Sequence, residues 1–247
     1  MKLKIVLQVI VLFLCVSVYG QLTELQKADG ELTREFMRMV KADELIRKDS
    51  LAPLFKKHLK EVLLVPGSFD FSFDSLSKLL TIIESSDKKI RIYSWDERGV
   101  GKWRNMTSFA QYKTSKGFIH VVRLDTDEAM RNVEYTDVMI EKIHIVPIYD
   151  QPYYLTIGWG TRGKGRHHKT IQIYSIESDQ LSNCNTCFKR KSYLVVKAPR
   201  GQKIDINYNS AAKSITYRKF ILRNNISFYT PRGRIITWKL AGRVFTR

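Results

Sequence analysis

Carboxylates all but vanish from the last third of this chain. Between residue 161 and the C-terminus only Glu177, Asp179 and Asp205 are acidic, against 19 Lys and Arg, a net of +16. Residues 21–160 carry 21 basic and 21 acidic side chains and are neutral, so the excess positive charge has one location. Such asymmetry points to a polyanionic partner (nucleic acid, anionic lipid head groups or acidic glycans) or to a solvated face that keeps the protein soluble. The cations are spread through strand-like segments rather than packed into one block, which favours the solvated face.

Other absences narrow the reading further. No apolar run approaches the roughly 20 residues that a membrane-spanning helix needs. Residues 5–18, IVLQVIVLFLCVSV, form a run of 14 behind the basic start MKLK and end near Val18, Tyr19 and Gly20. That pattern predicts a secretory signal peptide over residues 1–20, a mature chain from Gln21 and no transmembrane span. Lipid attachment at Cys15 is disfavoured by the bulky Leu14 before it. There is no G-x-S-x-G elbow, no H-E-x-x-H helix and no cysteine set among acid–base partners, so no catalytic residue is named.

The hydrophobic content of 44% excludes a disordered chain and supports a real core. Up to about residue 85 the spacing is helical. One helix turns Leu25, Leu32, Phe36, Met37 and Val40 inward. A second opens near Ser50 with Pro53 in its first turn and buries Leu54, Phe55, Leu59 and Val62. A third starts at Asp74, a plausible cap, and presents Leu76, Leu79, Leu80 and Ile83 on one face.

Beyond Ser85 the period becomes two. The segments KIRIYSW, FIHVVRL, VMIEKIHIVPIY, PYYLTIGW, TIQIYSIE, KSYLVVKA, KIDINYN, SITYRKF, ISFYT, RIITWKL and RVFTR are rich in β-branched and aromatic residues. Short turn signals such as Asn209-Ser210, Pro231-Arg232-Gly233 and Ala241-Gly242 demand antiparallel pairing. The expectation is an α+β protein with N-terminal helices (21–85) packed on a large antiparallel β meander (86–247), as a bent sheet, sandwich or open barrel. "IRIYSWD" and "IQIYSIE" look alike, but their spacing does not recur.

The stretch GWGTRGKGRHHK, residues 158–169, comes close to two phosphate-binding motifs. Gly158, Gly160 and Gly163 spell G-x-G-x-x-G, and Gly158, Gly163 and Lys164 spell most of G-x-x-x-x-G-K. Both motifs need a helix to open after the glycines, because its N-terminus supplies the donors. Here an alternating strand comes next, and Gly165 replaces the magnesium-binding hydroxyl. The expectation is a hairpin without nucleotide or other cofactor. Its cluster Arg162, Lys164, Arg166, His167, His168 and Lys169 is a candidate anion-binding loop.

After the leader only Cys184 and Cys187 remain, spaced C-x-x-C. Export favours their oxidation, so a disulfide is the leading expectation. The alternative is zinc held by His167, His168, Cys184 and Cys187 in a metal-dependent hydrolase. Against it, adjacent histidines in a strand point to opposite faces. Asp96 with Glu97, and Asp125 with Asp127 and Glu128, could serve as acid–base pairs or a cation loop, but read more simply as turn residues. Trp159, Tyr217, Tyr229 and Trp238, interleaved with charge, are candidates to stack on sugars or bases.

The phrases "IRIYSWD", "YYLTIGWG", the glycine and His-His loop, "CNTCF" and "RIITWKLAGRVF" resemble a group of exported proteins of Bacteroidota with no assigned activity. The resemblance runs from about Pro66 to the C-terminus, implies a periplasmic, cell-surface or secreted setting, and transfers no functional residue. Together these readings predict an exported, non-enzymatic binding or structural domain whose basic C-terminal half meets an anionic glycan, a lipid head group or another polyanion.

Overall fold

The computed structural model describes residues 2–98, 104–124, 135–161, 166–199, 201–222 and 229–247, without the side chains of 2–19, 21, 166, 221–222 and 229–233. The chain divides into two compact units, Met1–Leu80 and Thr81–Arg247.

In the first unit, α1 (Lys2–Lys41) is succeeded by the single turn α2 (Glu44–Ile46), a wider π-type turn (Arg47–Leu51) and α3 (Ala52–Leu63). α1 buries Leu25, Leu32, Phe36 and Met39, and α3 buries Ala52, Phe55, Leu59, Val62 and Leu63. Phe36 meets Phe55 edge-on at 5.4 Å. The expected stripes are offset at two positions: Met37 and Leu54 face solvent, and Met39 takes the inward place. Pro53 sits in the first turn of α3, where its missing N–H costs nothing. His58 Nδ1 lies 2.9 Å from Glu35 Oε1, tying α3 to α1.

The expected third helix shrinks to one 3-10 turn, Leu76–Lys78. Its cap is not the neighbouring Asp74. The carboxylate of Asp29, 46 residues upstream of Ser75, accepts the N–H groups of Ser75 and Leu76, both at 2.9 Å. Thr81, Ile82 and Ile83, β-branched in a row, then favour extended backbone over another helical turn. Ile83 therefore belongs to a strand.

The second unit is a succession of antiparallel meanders. The first sheet runs β1 (Thr81–Glu84), β2 (Ile90–Asp96), β3 (Met106–Lys113) and β4 (Ile119–Arg123). The second runs β5 (Met139–Ile148), β6 (Gln151–Thr161) and β7 (Arg166–Glu177), and its last position is shared by β8 (Gln180–Asn183) and β9 (Tyr193–Pro199), both paired with β7. The third runs β10 (Ile206–Asn209), β11 (Ser214–Leu222), β12 (Tyr229–Ala241) and β13 (Val244–Thr246). The expected single meander is thus three sheets, and the two look-alike phrases fall on β2 and β7, one in the first sheet and one in the second.

The second sheet is the middle layer of this unit. Tyr153, Leu155, Ile157, Ile171 and Ile173 point to one face and share a core with Ile206, Tyr208, Ile215, Phe220 and Phe245 of the third sheet. Tyr154 and Tyr174 point to the other and meet Ile90, Ile92, Ala110 and Tyr112 of the first. A bulge at Glu141 lets Ile140 and Ile143, three residues apart, serve the same face. Two serines of the first sheet lock onto β5: Ser108 donates to the Val138 carbonyl at 2.8 Å, and Ser94 accepts from Ile140 N–H at 3.2 Å.

Pro231, Arg232 and Gly233 do not make the expected turn. β12 passes through them, using the steps from Ile235 to Pro231 where β11 uses only those from Arg218 to Phe220. The extra backbone is absorbed as a bulge, a place that accepts Pro and Gly. Of the segment ISFYT, residues 226–228 lie outside the described residues.

Candidate functional site

Gly158 and Gly160 sit inside β6, where they make room for neighbouring side chains. A Cβ on Gly158 would run into Val138 Cγ2, and one on Gly160 would come within 2.6 Å of His168 Nε2. The chain then enters β7, paired with β6 from Thr161 opposite His167, so the helix both phosphate motifs require is replaced by a strand. Arg162, Gly163, Lys164 and Gly165 lie outside the described residues, as does the Arg166 side chain.

The remaining members of the basic cluster are already committed. Trp159 donates its indole N–H to His167 Nδ1 at 2.9 Å, so the proton sits on Nε2, which donates to the Gln202 carbonyl at 2.8 Å. His168 points to the other face, is 3% exposed, and meets the Tyr135 ring edge-on at 5.0 Å. Lys169 Nζ pairs with Glu141 Oε2 at 2.7 Å. The described half of the expected anion loop is therefore a set of internal ties.

Cys184 and Cys187 are bonded to each other. They close the turn that separates β8 from β9 and drive Phe188 into the core, where it meets Phe245 at 5.7 Å and Trp238 at 6.4 Å. Phe245 N–H donates to the Cys187 carbonyl at 2.8 Å, so this turn also joins the second sheet to the third. Comparison with family models, curated proteins and solved structures finds no match.

The alternative zinc quartet is overturned by these positions. Cys184 N–H donates to Ile173 O, six residues along β7 from His167, roughly 20 Å away at the rise of a strand. Zinc requires its ligands within about 2.3 Å, so His167, His168, Cys184 and Cys187 do not form a site. Asp96 and Glu97 part company as well. Asp96 binds Arg104 at 2.6 Å, and the buried Glu97 accepts from Thr107 Oγ1 at 2.7 Å. Asp125, Asp127 and Glu128 lie outside the described residues.

The aromatic candidates also turn inward. Trp238 donates to the Tyr217 hydroxyl at 3.3 Å beneath the third sheet, and Trp159 is spent on His167. The Tyr229 side chain is outside the described set. Alternation in the third sheet sends Tyr217, Ile236 and Trp238 towards the core and leaves Thr216, Arg218, Ile235, Thr237 and Lys239 on the outer face. Lys213, Lys219, Arg234 and Arg247 around them are exposed. The one acidic residue in these strands and their lead-in, Asp205, is paired with Lys203 at 3.0 Å.

One site escaped the sequence reading. At the end of the second sheet where β5 turns into β6, a cleft of about 460 Å³ is lined by Lys89, Lys113, Ser115, Tyr153, Glu177 and Arg243, among others. Arg243 donates to the Tyr153 hydroxyl at 2.9 Å, which donates in turn to Glu177 Oε1 at 3.2 Å. That bond to Tyr153 pushes the Arg243 pKa still higher, so its charge is fixed. Lys113 N–H donates to the Lys89 carbonyl, which starts both lysines from one rung of the first sheet. The residues come from separate hairpins, and no local motif announces them.

Proposed function

We propose that the chain is exported by its N-terminal leader into a bacterial envelope or extracellular setting. There it acts as a non-enzymatic binding domain that holds a polyanion on the outer face of its third sheet. The observation that carries this reading is the composition of that face: Arg218 and Lys239 among threonines, ringed by Lys213, Lys219, Arg234 and Arg247. A sheet face repeats its side chains at strand spacing, which suits a ligand with repeating charge. Hydroxyls beside cations favour an acidic glycan over a lipid surface, because among the described residues Ile235 is the face's one large apolar group and an interfacial membrane anchor needs a broad apolar face. The dispersal of His167, His168, Cys184 and Cys187 supports the non-enzymatic side.

The test is direct binding of the mature chain to three probes at physiological salt: a sulfated or uronate glycan, vesicles containing an anionic phospholipid, and duplex DNA. Saturable glycan binding that outlasts moderate salt while the other two fade supports the reading. Equal loss of all three with salt reduces the face to unspecific charge and sinks it.

A further inference from the structure

The cleft beside Tyr153 has a different chemistry from the open sheet face and lies on different residues. Three cations, Lys89, Lys113 and Arg243, line it with one carboxylate, Glu177, while the carboxylates of Asp87 and Asp179 hold the lining residues Tyr154 and Ser115 from behind. The Glu177 carboxylate is occupied by Ser175 Oγ at 2.9 Å and by the Tyr153 hydroxyl, and stands 3.9 Å from Arg243. Tyr153 and Tyr154, adjacent on opposite faces of β6, both line it and are 5% and 1% exposed, with the Tyr154 hydroxyl fixed on Asp87 at 2.8 Å. Ser115, anchored on Asp179 at 2.9 Å from the β7–β8 turn, closes one side. Arg243 is therefore preorganised by its own sheet's neighbour rather than waiting for a ligand to order it.

We propose that this cleft binds a sugar-sized, hydroxylated ligand carrying one phosphate or sulfate ester. The oxyanion lies between Arg243 and the two lysines, and the uncharged body lies along Ser115, Gln151 and Ser175. The net charge of the lining calls for an anion, and guanidinium beside ammonium is the pairing that tetrahedral oxyanions accept. The volume of about 460 Å³ falls in the range of small-molecule sites and exceeds what a bare inorganic ion fills. The hydroxyl and amide lining matches a polar rather than an apolar body.

The experiment is calorimetric titration of the mature chain with glucose 6-phosphate, N-acetylglucosamine 6-sulfate, glucose and inorganic phosphate. At least one ester is expected to bind about tenfold or more tightly than inorganic phosphate, with no heat from glucose. Which ester wins separates phosphate from sulfate. Arg243→Gln and Lys113→Gln should each weaken that ester about tenfold, while Lys57→Gln on the exposed side of α3 leaves it unchanged. Unchanged thermal midpoints show that the variants fold, and Lys113→Gln decides the matter if Arg243→Gln does not. Absence of binding by both esters, inorganic phosphate binding as tightly as an ester, or full affinity in both cleft variants would overturn the proposal. None of these results touches the polyanion reading, whose residues lie elsewhere, and failure of glycan binding leaves the cleft standing.

Discussion

Gly160 has no room for a methyl group. Its Cβ would lie 2.6 Å from His168 Nε2 and 2.9 Å from the Asp137 carbonyl. Gly160→Ala is expected to cost about 1–3 kcal/mol in urea unfolding through overpacking. An unchanged midpoint would contradict the packing role of the glycine run. His144 offers a second residue-level test. Burial, and then the charge of Lys142, lower its pKa below 6.5. The unfolded chain then takes up a proton before the folded one does. Stability is full above about pH 6.5 and falls as the pH drops from there towards the folded value. Unfolding at about pH 7.5 and about pH 5.5 should show a larger loss in the wild type than in His144→Gln; equal losses would remove His144 as the cause. The sequence did show that His167 and His168 face apart, since alternation in a strand is local geometry. It could not show that Gln202 and Tyr135 wait for them, because those partners are remote in the chain.

At the scale of elements, the disulfide turn joins two sheets. Loss of a bridge closing so short a loop should cost about 2 kcal/mol by the chain-entropy argument. Phe188→Ala should cost more, about 3–5 kcal/mol, because its ring is fully buried between the sheets. Denaturation of reduced wild type and of Phe188→Ala gives the ranking, and the reverse order would mean that the covalent link, not the aromatic plug, holds this edge. Most strands were legible from period-two runs of β-branched and aromatic residues. β3 was not, because Thr107, Ser108, Ala110 and Gln111 are buried along with Phe109 and erase the alternation. β8 was missed because its two-residue turn, Ser178 and Asp179, has both residues at positive φ (49° and 64°) without glycine. The opposite error came at Pro231, where a bulge looks like a turn.

At the scale of the whole molecule, the described residues of the third sheet set Ile215, Phe220 and Phe245 against the second sheet and leave Thr216, Arg218, Thr237 and Lys239 facing out. The charge asymmetry was visible in the sequence; the face that gathers it was not, since it depends on which strands pair. Among the described residues no helix is long and apolar enough to cross a membrane. The measurement that bears most directly on the account is glycan affinity, as a function of salt, for the wild type and for a variant with Arg218, Lys219, Arg234 and Lys239 all changed to Gln. The account predicts a loss of about tenfold or more and a shallower salt dependence, with the unfolding midpoint little changed. Equal affinity and equal salt dependence in the two proteins would contradict a binding role for this face.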